Sequence, residues 1–415
     1  MRLNINHIPK MITPFEAFQI IESTITPLPA QSVPLMESLG CILRQDIIAK
    51  DAIPPFDNSA MDGFAVQWDD LSSLPLDLDL IGEVSAGQVP HTHVESGTCL
   101  RITTGSQIPE GADAIIPLEW TTEINEQTVR FHKKSERLSF IRPASQDVEK
   151  GSVVVQSGAR ITPPIIGMIA ASGYNSIDVG VTPEVSLIVT GNELHPPSSG
   201  LLPPAKIYDT NGPGLSAQII DINAKVIGPM VVNDDQPSIA QSIENSRGSD
   251  VIVIAGGVSV GKYDYVKDIL HGMGFQKHFW RVKQRPGGPM LFGVLDSKLV
   301  FGLPGNPVSS AVCFQQYVRP ALLMLMGALD IHPLQFTAEL TSSVQKKSGL
   351  YHFIRGNAER REDGELFVST TGLQASNLYS SLQEANCLIH IEEEVENPRR
   401  GEKVMVTPLP WGQNF

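Results

Sequence analysis

The stretch Asp250–Asp268 is the part of this sequence best equipped for chemistry. Val251 to Ala255 is an unbroken apolar run rich in β-branched residues, the pattern of a strand buried on both faces. Gly256 and Gly257 follow, and paired glycines let the backbone turn sharply and a ligand approach the main chain. Ser259, Gly261, Lys262 and Asp264 come next, and the spacing predicts a helix from Tyr263 to Leu270. A strand, a glycine turn and a helix start form an anion site at the carboxyl end of a sheet. Taken alone, an ordinary βα turn explains the same residues, but the chain carries a second turn of this kind. In Leu299–Ser310 another buried strand runs to Leu303, Pro304 and Gly305 turn the chain, Asn306 is an N-cap candidate and Pro307 takes the first helical position. The first-turn amides and the hydroxyls of Ser309 and Ser310 are expected to face an anion. Between the two turns, Arg281, Lys283 and Arg285 stand beside a Pro286-Gly287-Gly288-Pro289 loop.

These turns need a sheet to hold them. From Val181 to Leu329 strands alternate with helices, with strands at Val185–Val189, Lys225–Pro229, Val251–Ala255 and Leu299–Gly302. Helices are expected near Leu215–Ile222, Pro237–Asn245, Tyr263–Leu270 and Pro307–Met326, the last kinked at Pro320. That is a three-layer α/β domain with a mainly parallel sheet. Further polar clusters close its strands: Thr190-Gly191-Asn192-Glu193, Tyr208-Asp209-Thr210-Asn211 and Asn233-Asp234-Asp235. Ligands bind outside the carboxyl ends of strands in such sheets.

Before this domain, Thr13, Pro14 and Glu16 spell a capping box ahead of Phe15, Phe18, Ile21 and Ile25 at helical spacing. Asp57–Val66 (DNSAMDGFAV) packs Asp57, Asn58, Ser59 and Asp62 into one turn before a strand. An Asx-type turn with solvated carboxylates accounts for these residues as well as a site does. Leu78–Val84, Thr98–Thr104, Ala114–Leu118 and Val129–His132 then read as strands of a β-rich module of about 80 residues. A helix returns at Ile161–Gly173 with Thr162 as its cap. If it packs on the Thr13 helix, the β-module is an insertion between two halves of one domain. Beyond His332, short strands indicate a small β-domain, with Glu392, Glu393 and Glu394 a solvated strand end.

Composition bounds the partners. A 415-residue chain suggests two to four domains, and 41% hydrophobic with 18% charged residues is ordinary for a globular protein. A net charge of −14 argues against nucleic-acid binding. Four scattered cysteines without a C-x-x-C pair read as reduced thiols of a cytoplasmic protein. No apolar run suggests a membrane span, and the N-terminal residues lack a signal-peptide pattern.

DNSAMDGFAV (57–66), RITTGSQIPEGADAIIPLE (101–119), TGNEL (190–194), IYDTN (207–211), GGVSVGKYDYVK (256–267), RPGGP (285–289) and LPGNPVSS (303–310) together resemble the molybdopterin molybdenumtransferase family, also called the MoeA and gephyrin E-domain family. The motifs occur in the family's order across the whole chain. The resemblance implies four units: an extended dimerisation domain (1–53 with 142–180), an inserted β-rich domain (54–141), the α/β molybdopterin-binding domain (181–329) and a C-terminal β-barrel (330–415). It implies an enzyme of molybdenum cofactor biosynthesis that takes adenylylated molybdopterin and molybdate, uses magnesium and releases AMP. It also implies a homodimer with composite active sites, working beside a molybdopterin adenylyltransferase and molybdoenzyme apoproteins.

By the same resemblance, Asp62, Glu193, Asp234, Asp235 and Asp264 are the acidic site positions, with Asp264, Glu193 and Asp235 toward the metal. Gly256, Gly257, Ser259, Lys262, Arg285, Pro304, Gly305, Asn306, Ser309, Arg355 and Ser376 are expected to hold the pterin substrate and oxyanion, and Asp147 matches another family carboxylate. Gly288 stands where the family often has lysine, Arg285 replaces another lysine, and Asn192 replaces a frequent aspartate. Two other readings remain: a pterin adenylyltransferase, which the inserted and C-terminal domains disfavour, and a non-enzymatic scaffold.

Overall fold

The computed structural model describes residues 11–258 and 265–412. Helix α1 (Pro14–Thr24) starts at the expected capping box. Thr13 Oγ1 accepts from the Glu16 amide at 3.1 Å, and Glu16 Oε2 accepts from the Thr13 amide at 2.8 Å. Its buried face, Ala17 and Ile21, enters the core of the α/β domain rather than packing on the second helix. That helix, α2 (Pro163–Ala171), buries Ile169 in a separate cluster with Leu43, Ile47, Val155, Ile161 and Val179. The condition that the two helices pack on each other is therefore not met. The apolar stripe of α1 has a larger core within reach. Thr162 occupies the α2 N-cap position but makes no side-chain capping bond.

Between these helices, a six-stranded sheet runs in the order Ala114–Pro117, Gly63–Val66, Thr98–Ile102, Leu76–Val84, Thr128–Phe131, Thr121–Asn125. Phe64 and Phe131 meet edge to face inside it, with ring centroids 5.8 Å apart.

The α/β domain has the strand order Lys225–Val232, Glu184–Thr190, Val251–Ala255, Lys298–Leu303, Leu291–Leu295, Gln276–Trp280. The first four strands are parallel to one another, Leu291–Leu295 pairs antiparallel with Lys298–Leu303, and Gln276–Trp280 pairs antiparallel with Leu291–Leu295. Leu291–Leu295 and Gln276–Trp280 are additional to the four strands that the sequence pattern indicates. Helices α3 (Asn211–Asp221), α4 (Gln236–Asn245) and α5 (Val266–Gly272) lie where expected within a few residues. The long last helix is divided into α6 (Pro307–Cys313), a π-turn at Phe314–Val318 and α7 (Arg319–Met326). The π-turn precedes Pro320, whose ring denies the helix one amide.

In the C-terminal domain Tyr351–Arg360, Leu366–Thr370, Phe336–Leu340, Lys403–Pro408 and Cys387–Ile391 pair in sequence. The last strand closes on the first, so five strands form a barrel. Gln284–Arg285 adds to the barrel as a parallel pair with Tyr351–His352. Glu393 is not the solvated residue expected. Its side chain is 20% exposed, and Lys283 Nζ lies 3.8 Å from its Oε2.

Inside the barrel wall His390 is buried between the Tyr351 hydroxyl (3.0 Å to Nδ1) and Thr407 Oγ1 (2.8 Å to Nε2). Burial pushes its pKa down to about 4 from the ordinary 6.5. The unfolded chain therefore takes up this proton first. The stability is whole above pH 6.5 and drains as the pH falls toward 4. The loss from this residue alone should approach about 2 kcal/mol by pH 5. Denaturant titrations at pH 7 and pH 5 check this. The pH slope should be shallower for His390→Gln than for the wild-type chain, and equal slopes would contradict it.

Candidate active site

A cleft of about 850 Å³ opens at the carboxyl ends of the parallel strands. Its lining includes Glu193 and Asp234, the turns Gly256-Gly257 and Pro304–Asn306, Arg285 through Pro289, and Ser309. The barrel contributes Gln374, Ser376 and Asn377. In chain order the sheet is 2-1-3-6-5-4. Its switch point thus falls between Glu184–Thr190 and Val251–Ala255, and the cleft lies over it.

Each wall is positioned by identifiable bonds. Gly256 (φ +105°) and Gly257 (φ +66°) adopt backbone that favours glycine. A Cβ on Gly256 would stand 2.6 Å from Thr190 Oγ1 and 2.7 Å from the Thr190 carbonyl. The second turn is tied down by Asn211, which donates from Nδ2 to the Gly305 carbonyl at 2.7 Å and accepts from the Ser310 hydroxyl at 2.7 Å. Ser310 is thus occupied internally and does not face an anion, against expectation. Asn306 sits at the N-cap position of α6 without a side-chain capping bond. The Val308 amide donates to the Ser376 carbonyl at 3.2 Å, which fixes the barrel loop against this turn.

Of the three basic residues near the proline-glycine loop, only Arg285 lines the cleft. Lys283 pairs with Glu393, and Arg281 lies over the Trp280 ring, 5.9 Å from its centroid. Arg355, expected among the substrate contacts, is 1% exposed and does not line the cleft. Its guanidinium donates to the carbonyls of Leu373, Gln374 and Ala375 at 3.4, 3.4 and 3.1 Å and to Ser381 Oγ at 3.1 Å. It organises the loop that carries Ser376. Burial, helped by the charge of Arg285, lowers its pKa to about 10, which still leaves the charge in place at neutral pH.

The two adjacent aspartates separate. Asp234 lines the cleft, and its amide and carboxylate meet the side chain and amide of Asn192 at 3.1 and 3.4 Å. Asp235 is the N-cap of α4 instead, accepting from the Ser238 amide at 2.8 Å and the Ser238 hydroxyl at 2.9 Å. Asp235, expected toward the metal, thus uses both carboxylate oxygens to cap α4 and is not among the residues that line the cleft. Asp62 is also outside this cleft. Its Oδ1 accepts from the Thr104 amide at 2.7 Å and hydroxyl at 2.9 Å, and these bonds lower its pKa. The neighbouring Asp57 accepts from the Ala144 amide at 2.7 Å, so its carboxylate ties this turn to the returning chain. Ser259, Lys262 and Asp264 lie outside the described residues. Gly288 lines the cleft with a φ outside the left-handed region, and a Cβ there would stand 3.1 Å from the Gln284 carbonyl.

Two residues passed over in the sequence organise the cleft. Gln284 was masked by the charges on either side of it, yet its buried amide donates to the Pro286 carbonyl at 3.1 Å and its Oε1 accepts from the Tyr317 hydroxyl. Asn211 was visible only as part of a polar cluster.

The fold and cleft define a multidomain α/β protein with a switch-point cleft closed by a loop of its barrel. Residues 12–173 match the MoeA N-terminal region (domain I and II), 186–324 the probable molybdopterin binding domain, and 337–409 the MoeA C-terminal region (domain IV). The chain is 34% identical to a molybdopterin molybdenumtransferase of Haemophilus influenzae over 94% of this chain and 96% of that one. It is 33% identical to molybdopterin molybdenumtransferase 2 of Mycobacterium tuberculosis over 91% and 95% of the two chains. The crystal structure of a molybdopterin biosynthesis MoeA protein from Pyrococcus horikoshii superposes with a TM-score of 0.83 at 30% identity, covering 97% of this chain and all of that one. The chain belongs to the MoeA family, a family of transferases in molybdenum cofactor biosynthesis. No helix among the described residues is long and apolar enough to cross a membrane.

The division of labour between the paired aspartates can be measured. Asp235→Ala should lower unfolding stability by about 1 kcal/mol, the cost of a lost N-cap, and leave ligand affinity near the wild-type value. Asp234→Asn should do the reverse in a paired denaturation and ligand-binding measurement. Loss of binding by Asp235→Ala at unchanged stability would overturn the assignment.

Proposed function

We propose that this chain inserts molybdenum from molybdate into adenylylated molybdopterin, cleaving the phosphoanhydride and releasing AMP. The observation that carries the proposal is the composition of the switch-point cleft. Backbone turns at Gly256-Gly257 and Pro304-Gly305 face Arg285, Ser376, Glu193 and Asp234 across one space of about 850 Å³. That is room for a nucleotide-sized ligand, with close main-chain approach for phosphoryl groups and one guanidinium to offset their charge.

The residues present are compatible with a divalent cation shared with the substrate. Among the described residues no group of three or more His, Cys, Asp or Glu side chains forms a metal cage. Magnesium, however, is ordinarily held by one or two carboxylates together with substrate phosphates and water. Glu193 and Asp234 supply that number of oxygen donors at the cleft, and we add Asp264 from the resemblance. When bound, the cation would neutralise phosphoryl charge. Arg285 and Ser376 would orient the oxyanion, and Arg355 would act through the barrel loop it holds.

We further propose a homodimer in which Asp62 of one chain completes the cleft of the other, since Asp62 is fixed by Thr104 away from the cleft of its own chain. The test is AMP release from adenylylated molybdopterin. The wild-type chain should release AMP only when molybdate and a divalent cation are both present. Asp62→Asn and Glu193→Gln should each be deficient. Mixed and allowed to exchange subunits, they should recover about a quarter of wild-type activity, because half the dimers are mixed and each mixed dimer has one intact composite site. No recovery on mixing contradicts the composite site, and AMP release independent of molybdate contradicts the insertion reaction.

A further inference from the structure

We propose that the Thr190 hydroxyl is a direct ligand contact on the floor of the cleft, donating to an anionic phosphoryl oxygen of the adenylylated substrate. The inference rests on the reading of the cleft given under Proposed function and adds a residue to it.

The strand Glu184–Thr190 carries two buried hydroxyls, and their fates differ. Ser186 Oγ is 2.7 Å from Ser249 Oγ, so each satisfies the other inside the core. Thr190, 6% exposed, lines the cleft, and its Oγ1 is buried without a hydrogen-bond partner among the described residues. A buried hydroxyl left unpaired is destabilising, and valine would fill the same volume without that penalty. Packing alone therefore does not account for threonine here.

Its surroundings say what the hydroxyl is kept for. Thr190 ends one of the two strands that flank the switch point, and Gly256 directly follows the end of the other. Cβ atoms on Gly256 and Gly257 would come within 2.6 and 3.3 Å of Thr190 Oγ1, so only glycine lets this turn pack its main chain directly against that oxygen. A Cβ on Gly305 would in turn stand 3.6 Å from the Gly256 Cα, which brings the second turn to the same spot. The floor is thus built from close-packed main chain, with positive-φ glycines and one hydroxyl. Such concave backbone favours an anion, and the hydroxyl supplies a donor that completes its shell.

The experiment compares AMP binding by calorimetry with thermal stability of the ligand-free chain for wild type, Thr190→Val, Thr190→Ser and Ser186→Ala. Thr190→Val should bind AMP about 10- to 100-fold more weakly, the loss expected for a hydrogen bond to a charged group. Its ligand-free melting temperature should be equal to or above the wild-type value, because the unpaired hydroxyl is gone. Thr190→Ser should retain binding within a few-fold. Ser186→Ala should melt lower and bind AMP normally. Undiminished AMP binding by Thr190→Val overturns the inference while leaving the wider reading of the cleft intact. A lowered melting temperature for Thr190→Val also overturns it, because the hydroxyl would then serve the core. Failure of the wild-type chain to bind AMP removes the reading of the cleft and this inference together.

Discussion

The cleft exists because the segment Gln284–Gly288 is held in two domains at once. Its backbone pairs with Tyr351–His352 of the barrel, and its first side chain, Gln284, is buried in the α/β domain. There the amide donates to the Pro286 carbonyl, lies 3.6 Å from Cys313 Sγ and accepts from Tyr317 on the π-turn. Gly287 (φ +90°) is required beside it, since a Cβ would approach Gln284 Nε2 to 2.8 Å. A buried amide with each polar end paired rigidifies its surroundings, and here what it rigidifies is the loop that presents Arg285. The same logic recurs at Asn211, which joins Gly305 to Ser310, and at Arg355, which gathers three carbonyls of the Ser376 loop. Three buried polar side chains thus shape three loops, and the loops leave the cleft between them.

Charge sets the second constraint. The chain carries a net −14, and the cleft itself has two carboxylates against the single guanidinium of Arg285 among its described lining residues. An anionic substrate meets that balance only with help from close main-chain groups or a shared cation. The glycine turns supply the first kind of help without adding charge. A lysine at 288 would add a positive charge, and the glycine found there keeps the loop close to the carbonyls of Gln284 and Val282.

How much was legible in the sequence follows from range. Local signals were readable: the Thr13–Glu16 capping box, the apolar run Val251–Ala255 and the proline-glycine turn at 304–305 all lie where the spacing put them. Signals that depend on distant partners were not. Asp234 and Asp235 look alike as neighbours, and only the position of Ser238 at the start of α4 assigns one to capping. The resemblance put Arg355 among the substrate contacts, and neither its burial nor its carbonyl partners can be read from its sequence neighbours. Ile21 and Ala17 announced an apolar face but not which core would receive it. The family resemblance singled out Glu193, Arg285 and Ser376, which all line the cleft, but not the bonds that shape the loops around them.

In the proposed reaction the substrate and molybdate meet between the α/β strand ends and the barrel loop. A crystal structure of the chain grown with AMP and molybdate, with data collected at the molybdenum absorption edge, tests it most directly. The molybdenum anomalous peak should fall within hydrogen-bonding reach of Arg285 and Ser376, with the AMP phosphate over Gly256-Gly257 in the same cleft. A molybdenum peak or an AMP phosphate outside that cleft would contradict it.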